Sequence, residues 1–160
     1  MPNTYTQLYV HVVFAVKGRQ NAIPKHAKEN LHRYITGIVQ AREQKLMAVH
    51  CMPDHAHLFI GFTPDLALSD LVRDIKRATT LWMKEQQLVK PSFYWQEGFG
   101  AFSYSQSQIN TIVQYVLNQE EHHRKRTFRE EYIGFLQKFE VPYDEHYLFD
   151  FYDETADTKD

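Results

Sequence analysis

The chain has 160 residues, 43% of them hydrophobic, and a formal net charge of −2, enough for one packed core and too little for two ordinary domains. A lone cysteine, Cys51, excludes an intrachain disulfide, and the opening MPNTYTQLYV lacks the basic stretch and apolar run of a signal peptide. No segment approaches the roughly 20 apolar residues of a membrane helix, so a soluble, cytoplasmic protein is expected.

In chain order, Tyr5 to Val16 is rich in aromatic and β-branched residues and predicts a long strand ended by Lys17-Gly18-Arg19. From Lys25 to Gln44, apolar Leu31, Tyr34, Ile35, Ile38 and Val39 recur at helical spacing behind Pro24. Lys45 to Met52 and His55 to Phe62 read as two short strands joined by a Pro53-Asp54 turn. A second helix is signalled by Ser69 as N-cap, Asp70 in its first turn and a stripe of Leu68, Leu71, Val72, Ile75, Thr79 and Trp82. Phe93 to Tyr104 predicts a fourth strand interrupted by Gly98 and Gly100, and a third helix is expected from about Gln106 to His123. This order is the split βαβ pattern, so the expected class is α+β: a ferredoxin-like, RRM-like antiparallel sheet with an added C-terminal helix. Residues 1–143 are read as one domain and 144–160 as an acidic tail.

His55 and His57 are two apart in a strand-like segment, which sends both rings out of one face within chelating distance. The third helix has its apolar face at Ile109, Ile112, Val113, Val116 and Leu117. Tyr115 lies off that face, and Gln119 projects from the same flank one turn on. A tyrosine hydroxyl, with a pKa near ~10, needs a metal or base beside it to act as a nucleophile. No residue stands out in the sequence as that base.

Met52-Pro53-Asp54-His55-Ala56-His57-Leu58-Phe59-Ile60 resembles the histidine-hydrophobic-histidine (HUH) signature of the one-tyrosine single-strand transposases of the smallest bacterial insertion sequences. Tyr94-Trp95-Gln96-Glu97-Gly98-Phe99-Gly100-Ala101-Phe102-Ser103 resembles that family's final-strand segment. Tyr115-Val116-Leu117-Asn118-Gln119, with His122-His123 behind it, resembles its catalytic helix. The likeness spans about Thr4 to Tyr132. It implies that Tyr115 is a nucleophile forming a 5′-phosphotyrosine link, that His55, His57 and Gln119 hold Mg2+ or Mn2+, and that the substrate is single-stranded DNA with hairpin ends. It further implies a homodimer in which one subunit's tyrosine helix completes the other's site.

Residues 1–126 carry 15 Lys and Arg against 10 Asp and Glu, whereas 127–160 carry 3 against 10, so a mildly basic body precedes the acidic end. Arg73, Lys76, Arg77 and Lys84 on the second helix and Arg124, Lys125 and Arg126 after the third are candidates for phosphate contacts, each with a solvated helix face as its ordinary reading. Trp82, Trp95 and Phe102 are candidates for base stacking, with a core role as the alternative. Two other functions share these features: an HUH replication initiator or relaxase, and a noncatalytic RRM-like nucleic-acid-binding module.

Overall fold

The structure is a computed structural model and describes residues 3–18, 21–145 and 148. Four strands, β1 (Leu8–Ala15), β2 (Lys45–Cys51), β3 (His55–Phe62) and β4 (Gly100–Tyr104), form one antiparallel sheet in the order β2-β3-β1-β4. The helices are α1 (Lys28–Ala41), α2 (Leu68–Glu85), α3 (Ile109–Leu117), α4 (Gln119–His123) and α5 (Phe128–Lys138). The expected ferredoxin-like α+β architecture is what the chain adopts. Among the described residues no helix is long and apolar enough to cross a membrane.

Strand alternation divides the molecule into two layers. Val12 and Phe14 of β1 and Ala56, Leu58 and Ile60 of β3 pack against Leu31, Ile35 and Val39 of α1 and Leu71, Val72 and Ile75 of α2. On the other face Val13, Ala15, Phe59, Phe102 and Tyr104 pack against Ile112 and Val116 of α3 and Phe128, Tyr132, Phe135 and Leu136 of α5. Both faces are therefore covered. Phe102 and Trp95 are core residues, and Trp82 is half-buried with its ring stacked on Tyr34 at 4.9 Å, so the aromatic candidates for base stacking are committed to packing.

Several element bounds differ from those expected. The first strand begins later, at Leu8, and ends at Ala15, where Val16 leaves the ladder to form an isolated bridge with Trp95. Only Gly100–Tyr104 of the fourth segment is strand; Phe93 and Trp95 instead plug the core from a loop that turns at Gly98, where φ is +85°. Ala67, not Ser69, is the N-cap of α2, with its carbonyl accepting from Asp70 and Leu71, and Ser69 lies inside the first turn. The third helix is broken at Asn118 (φ −96°, ψ 27°), which leaves α4 as a separate turn, and Leu117 is exposed rather than part of the apolar face. Helix α5 lies beyond the last element expected from sequence. Thr127 caps it by accepting from the Glu130 amide at 3.2 Å. Of the expected tail, 146–147 and 149–160 fall outside the described residues.

β4 must be bare where α5 crosses it. A Cβ on Gly100 would sit 2.8 Å from the Tyr132 ring and hydroxyl, whereas one on Gly37 in α1 meets nothing within 4 Å. Gly100→Ala is expected to cost roughly 1–3 kcal/mol in denaturant unfolding by overpacking. Gly37→Ala should gain roughly 0.5–1 kcal/mol from helix propensity. Equal effects would mean that α5 does not rest on β4.

Candidate functional site

β3 carries His55, His57 and Phe59 on the α3–α5 side and Ala56, Leu58 and Ile60 on the other. Both imidazoles are buried, at 1% and 0% exposure. Each is oriented through Nδ1: His55 Nδ1 lies 2.7 Å from Asp54 Oδ1, and His57 Nδ1 lies 2.8 Å from Nε2 of His11 on the neighbouring strand β1. Phe128 stacks on the His55 ring at 3.9 Å. Both Nε2 atoms are thus turned the same way, toward Glu131 of α5.

Glu131 is itself 1% exposed. Its Oε1 is 3.0 Å from His57 Nε2, 3.2 Å from His123 Nε2 and 3.8 Å from His55 Nε2. Nitrogens from β3 and α4 converge on an oxygen from α5, and the four groups' ligand atoms lie within 4.8 Å of one another. The other oxygen, Oε2, accepts the Tyr115 hydroxyl hydrogen from α3. Tyr115 is half-buried, stacked on His122 at 4.5 Å and edge-on to His57 at 6.2 Å.

Burial alone would raise the Glu131 carboxyl, but His57 and the hydrogen bonds from His123 and His57 outweigh it and hold the group well below the usual carboxylate range. Asp54 behaves alike: burial raises it, and the contact with His55 brings it below its ordinary value. His57 and His11 are lowered, chiefly by burial. Tyr115 is raised, first by burial and then by the Glu131 charge, with Arg126 and Gln119 opposing. The site is thus a negative point ringed by imidazoles.

This donor set fits a divalent cation. Imidazole nitrogen and carboxylate oxygen are ordinary ligands of such ions. His55 Nε2 is buried, lacks a hydrogen-bond partner and faces the cluster. The Asp54–His55 pair has the form of the carboxylate–histidine arrangement that fixes metal-binding imidazoles.

Of the residues expected from sequence, His55, His57 and Tyr115 meet here. Gln119 is buried beside them, but its Oε1 contacts His123 Nε2 at 3.1 Å and its Nε2 contacts the Tyr115 carbonyl at 3.3 Å. Arg126 bears on Tyr115, and Arg124, exposed and paired with Glu121 at 3.2 Å, helps line a cavity of about 350 Å3 with Lys25, Lys28, His55 and His123. Lys125 is exposed. Arg73, Lys76, Arg77 and Lys84 line a groove of about 950 Å3 between α2 and the loop bearing Tyr94 and Gly98. Lys76 donates there to the Gln96 and Gly98 carbonyls at 2.8 and 2.6 Å, pinning the loop, and Arg73 pairs with Asp70 at 3.2 Å. Glu131 and the orienting roles of His11, Asp54 and His123 are not among the features expected from sequence. Thr127 with Glu130 three residues on, followed by Tyr132, Phe135 and Leu136 at helical spacing, was the available signal for α5.

A ferredoxin-like sheet that turns a histidine pair toward a helical tyrosine defines a one-tyrosine transposase architecture. The family model described as "Transposase IS200 like" matches residues 4–119, and the chain belongs to that family. It is 29% identical over 73 residues to the ISDra2 transposase TnpA of Deinococcus radiodurans, a match covering 46% of this chain and only 52% of that protein. In fold it is similar to the crystal structure of a Deinococcus radiodurans protein assigned as a transposase (TM-score 0.57, 24% identity, 73% of this chain and 94% of that one). It is also similar to a REP-associated tyrosine transposase bound to a REP hairpin (TM-score 0.56, 16% identity, 76% and 72%). His123 and Glu131 lie beyond the matched segment.

If Asp54 orients His55 for a cation, Asp54→Asn should lower Mn2+ affinity by roughly 10–100-fold in isothermal titration while leaving the fold intact. Unchanged affinity would make Asp54 a turn residue only.

Proposed function

We propose that this chain cleaves and rejoins single-stranded DNA at hairpin-marked ends, with Tyr115 as nucleophile and a divalent cation, Mg2+ or Mn2+, held at the His55–His57 pair. The observation that carries the reading is the contact of the Tyr115 hydroxyl with a carboxylate whose other oxygen meets His57 Nε2 at 3.0 Å. Tyr104, by contrast, is buried and its hydroxyl has no hydrogen-bond partner among the described residues. In an open-sheet RNA-binding module the aromatic face must be free, and here it is covered.

In this reading Tyr115 Oη attacks the scissile phosphorus, the bond to the 3′ oxygen breaks, and a 5′-phosphotyrosine and a free 3′ hydroxyl result. The reverse attack by another strand's 3′ hydroxyl rejoins DNA and frees Tyr115. The cation would polarise the phosphate and offset charge on its oxygens. Glu131 Oε2 accepts a hydrogen bond from the Tyr115 hydroxyl and aims it, and Lys25 at the cavity beside His55 offers positive charge to an incoming backbone, with Lys28 and Arg124 there able to exchange their pairs with Glu120 and Glu121 for phosphates. Arg73, Arg77 and Lys84 form a second basic surface for the hairpin. The hairpin as ligand is an extension from the neighbour solved with one.

The resemblance implied sites shared across a homodimer. The Tyr115–Glu131–His57 contacts lie within one chain and favour assembly in cis. A dimer of complete sites fits them as well as a monomer does.

Tyr115→Phe should abolish the detergent-stable protein–DNA adduct, by at least about a thousandfold, with folding and hairpin binding retained. An adduct surviving in that variant would move the nucleophile elsewhere. Mixed His57→Ala and Tyr115→Phe chains, shown by tag co-purification to associate, should give no rescue of cleavage. Partial activity in the mixture would establish exchange of the tyrosine helix instead.

A further inference from the structure

We propose that Glu131 is the third protein ligand of the cation, through Oε1, and that its Oε2 ties the Tyr115 hydroxyl to the same ion, while Gln119 is a supporting group on His123 and Tyr115 rather than a ligand. This rests on the reading that the His55–His57 pair holds a metal, and it replaces the neutral amide that the resemblance implied with a carboxylate from α5.

Hydrogen positions separate ligands from supports. His123 Nε2 faces two acceptors, Glu131 Oε1 at 3.2 Å and Gln119 Oε1 at 3.1 Å, and the Gln119 amide is oriented by its Nε2 donating to the Tyr115 carbonyl. A nitrogen between two acceptors keeps its hydrogen, so His123 is a donor that fixes the carboxylate. His57 differs. Its Nδ1 faces His11 Nε2, which can donate or accept, so the His57 hydrogen can move to Nδ1 and leave an Nε2 lone pair free. His55 has Nδ1 against a carboxylate and Nε2 without a partner, the tautomer a ligand needs. The lone pairs a cation can use are then those of His55 Nε2, His57 Nε2 and Glu131 Oε1. His123 contacts both Glu131 Oε1 and Gln119 Oε1, but the carboxylate oxygen is the one that also lies against the histidine pair, 3.0 Å from His57 Nε2 and 3.8 Å from His55 Nε2.

Two imidazoles and one carboxylate leave coordination positions open for phosphate oxygens and suit Mn2+ better than Mg2+, which prefers an all-oxygen shell. A cation at this point would also offset the cost of burying the Glu131 charge.

The test is Mn2+ binding by isothermal titration and electron paramagnetic resonance on the full chain, without DNA. Wild type should bind Mn2+ more tightly than Mg2+, and His57→Ala should lose binding. Glu131→Gln, close to isosteric, should lose more than about 100-fold in affinity, beyond the effect of an outer-shell change, and Gln119→Ala less than about tenfold. Glu131→Asp should fall between wild type and Glu131→Gln. Metal binding to wild-type protein should also shift a carboxylate stretch in the infrared difference spectrum, a readout that needs no variant to fold. Wild-type affinity in a folded Glu131→Gln or Glu131→Asp, a larger loss in Gln119→Ala, or an unshifted carboxylate band would overturn the assignment while leaving the His57 result and the proposed function standing. Wild-type protein that binds no Mn2+ would overturn both.

Discussion

Glu131 is a carboxylate at 1% exposure in a layer whose apolar part includes Phe59, Phe102, Phe128 and Phe135. A charge in such surroundings costs several kcal/mol unless hydrogen-bonded partners offset it. Its partners come from β3, α3 and α4, so the positions of these elements are tied together by that one group. Its place in the first turn of α5 adds the favourable end of a helix dipole. The second layer is therefore held by a polar centre inside an apolar rim, and changes to either are felt by the other.

The sheet separates this polar centre from the ordinary core. On the α1–α2 side the packing is apolar and ends at Trp95, whose indole nitrogen donates to Thr79 Oγ1 at 2.9 Å. The histidines emerge on the opposite side from a central strand paired on both edges, a rigid platform for groups that must be held to fractions of an ångström. The break at Asn118 sets α4 apart from α3, and from α4 His123 reaches His55, with ring centres 4.7 Å apart.

Legibility in the sequence followed the range of the interactions. Strand alternation and helical spacing are local, so the element order, the sheet class and the shared face of His55 and His57 could all be read, whereas Tyr115, expected off the apolar face, packs against the same cluster as Ile112 and Val116 because α5 covers that flank. The short β4 could not, because Trp95 is drawn out of the strand by a cavity that α2 and β1 form together. Glu131 was invisible for a similar reason. Its role depends on a contact with His57 across 74 residues, and in sequence it is one of two adjacent glutamates, of which Glu130 is exposed. Gln119 shows the opposite case: its spacing from Tyr115 pointed into the site, but only the fold reveals that His123 stands next to its amide oxygen.

In the proposed site the histidine pair and Glu131 form one metal centre joined to Tyr115, which anomalous diffraction from crystals grown with Mn2+ and a hairpin oligonucleotide would locate. One strong peak is expected about 2.0–2.3 Å from His55 Nε2, His57 Nε2 and Glu131 Oε1, with a DNA phosphate oxygen on the same ion and Tyr115 Oη facing the phosphorus. A peak bound by Gln119 Oε1 with Glu131 turned away, or no peak at the histidine pair, would contradict it.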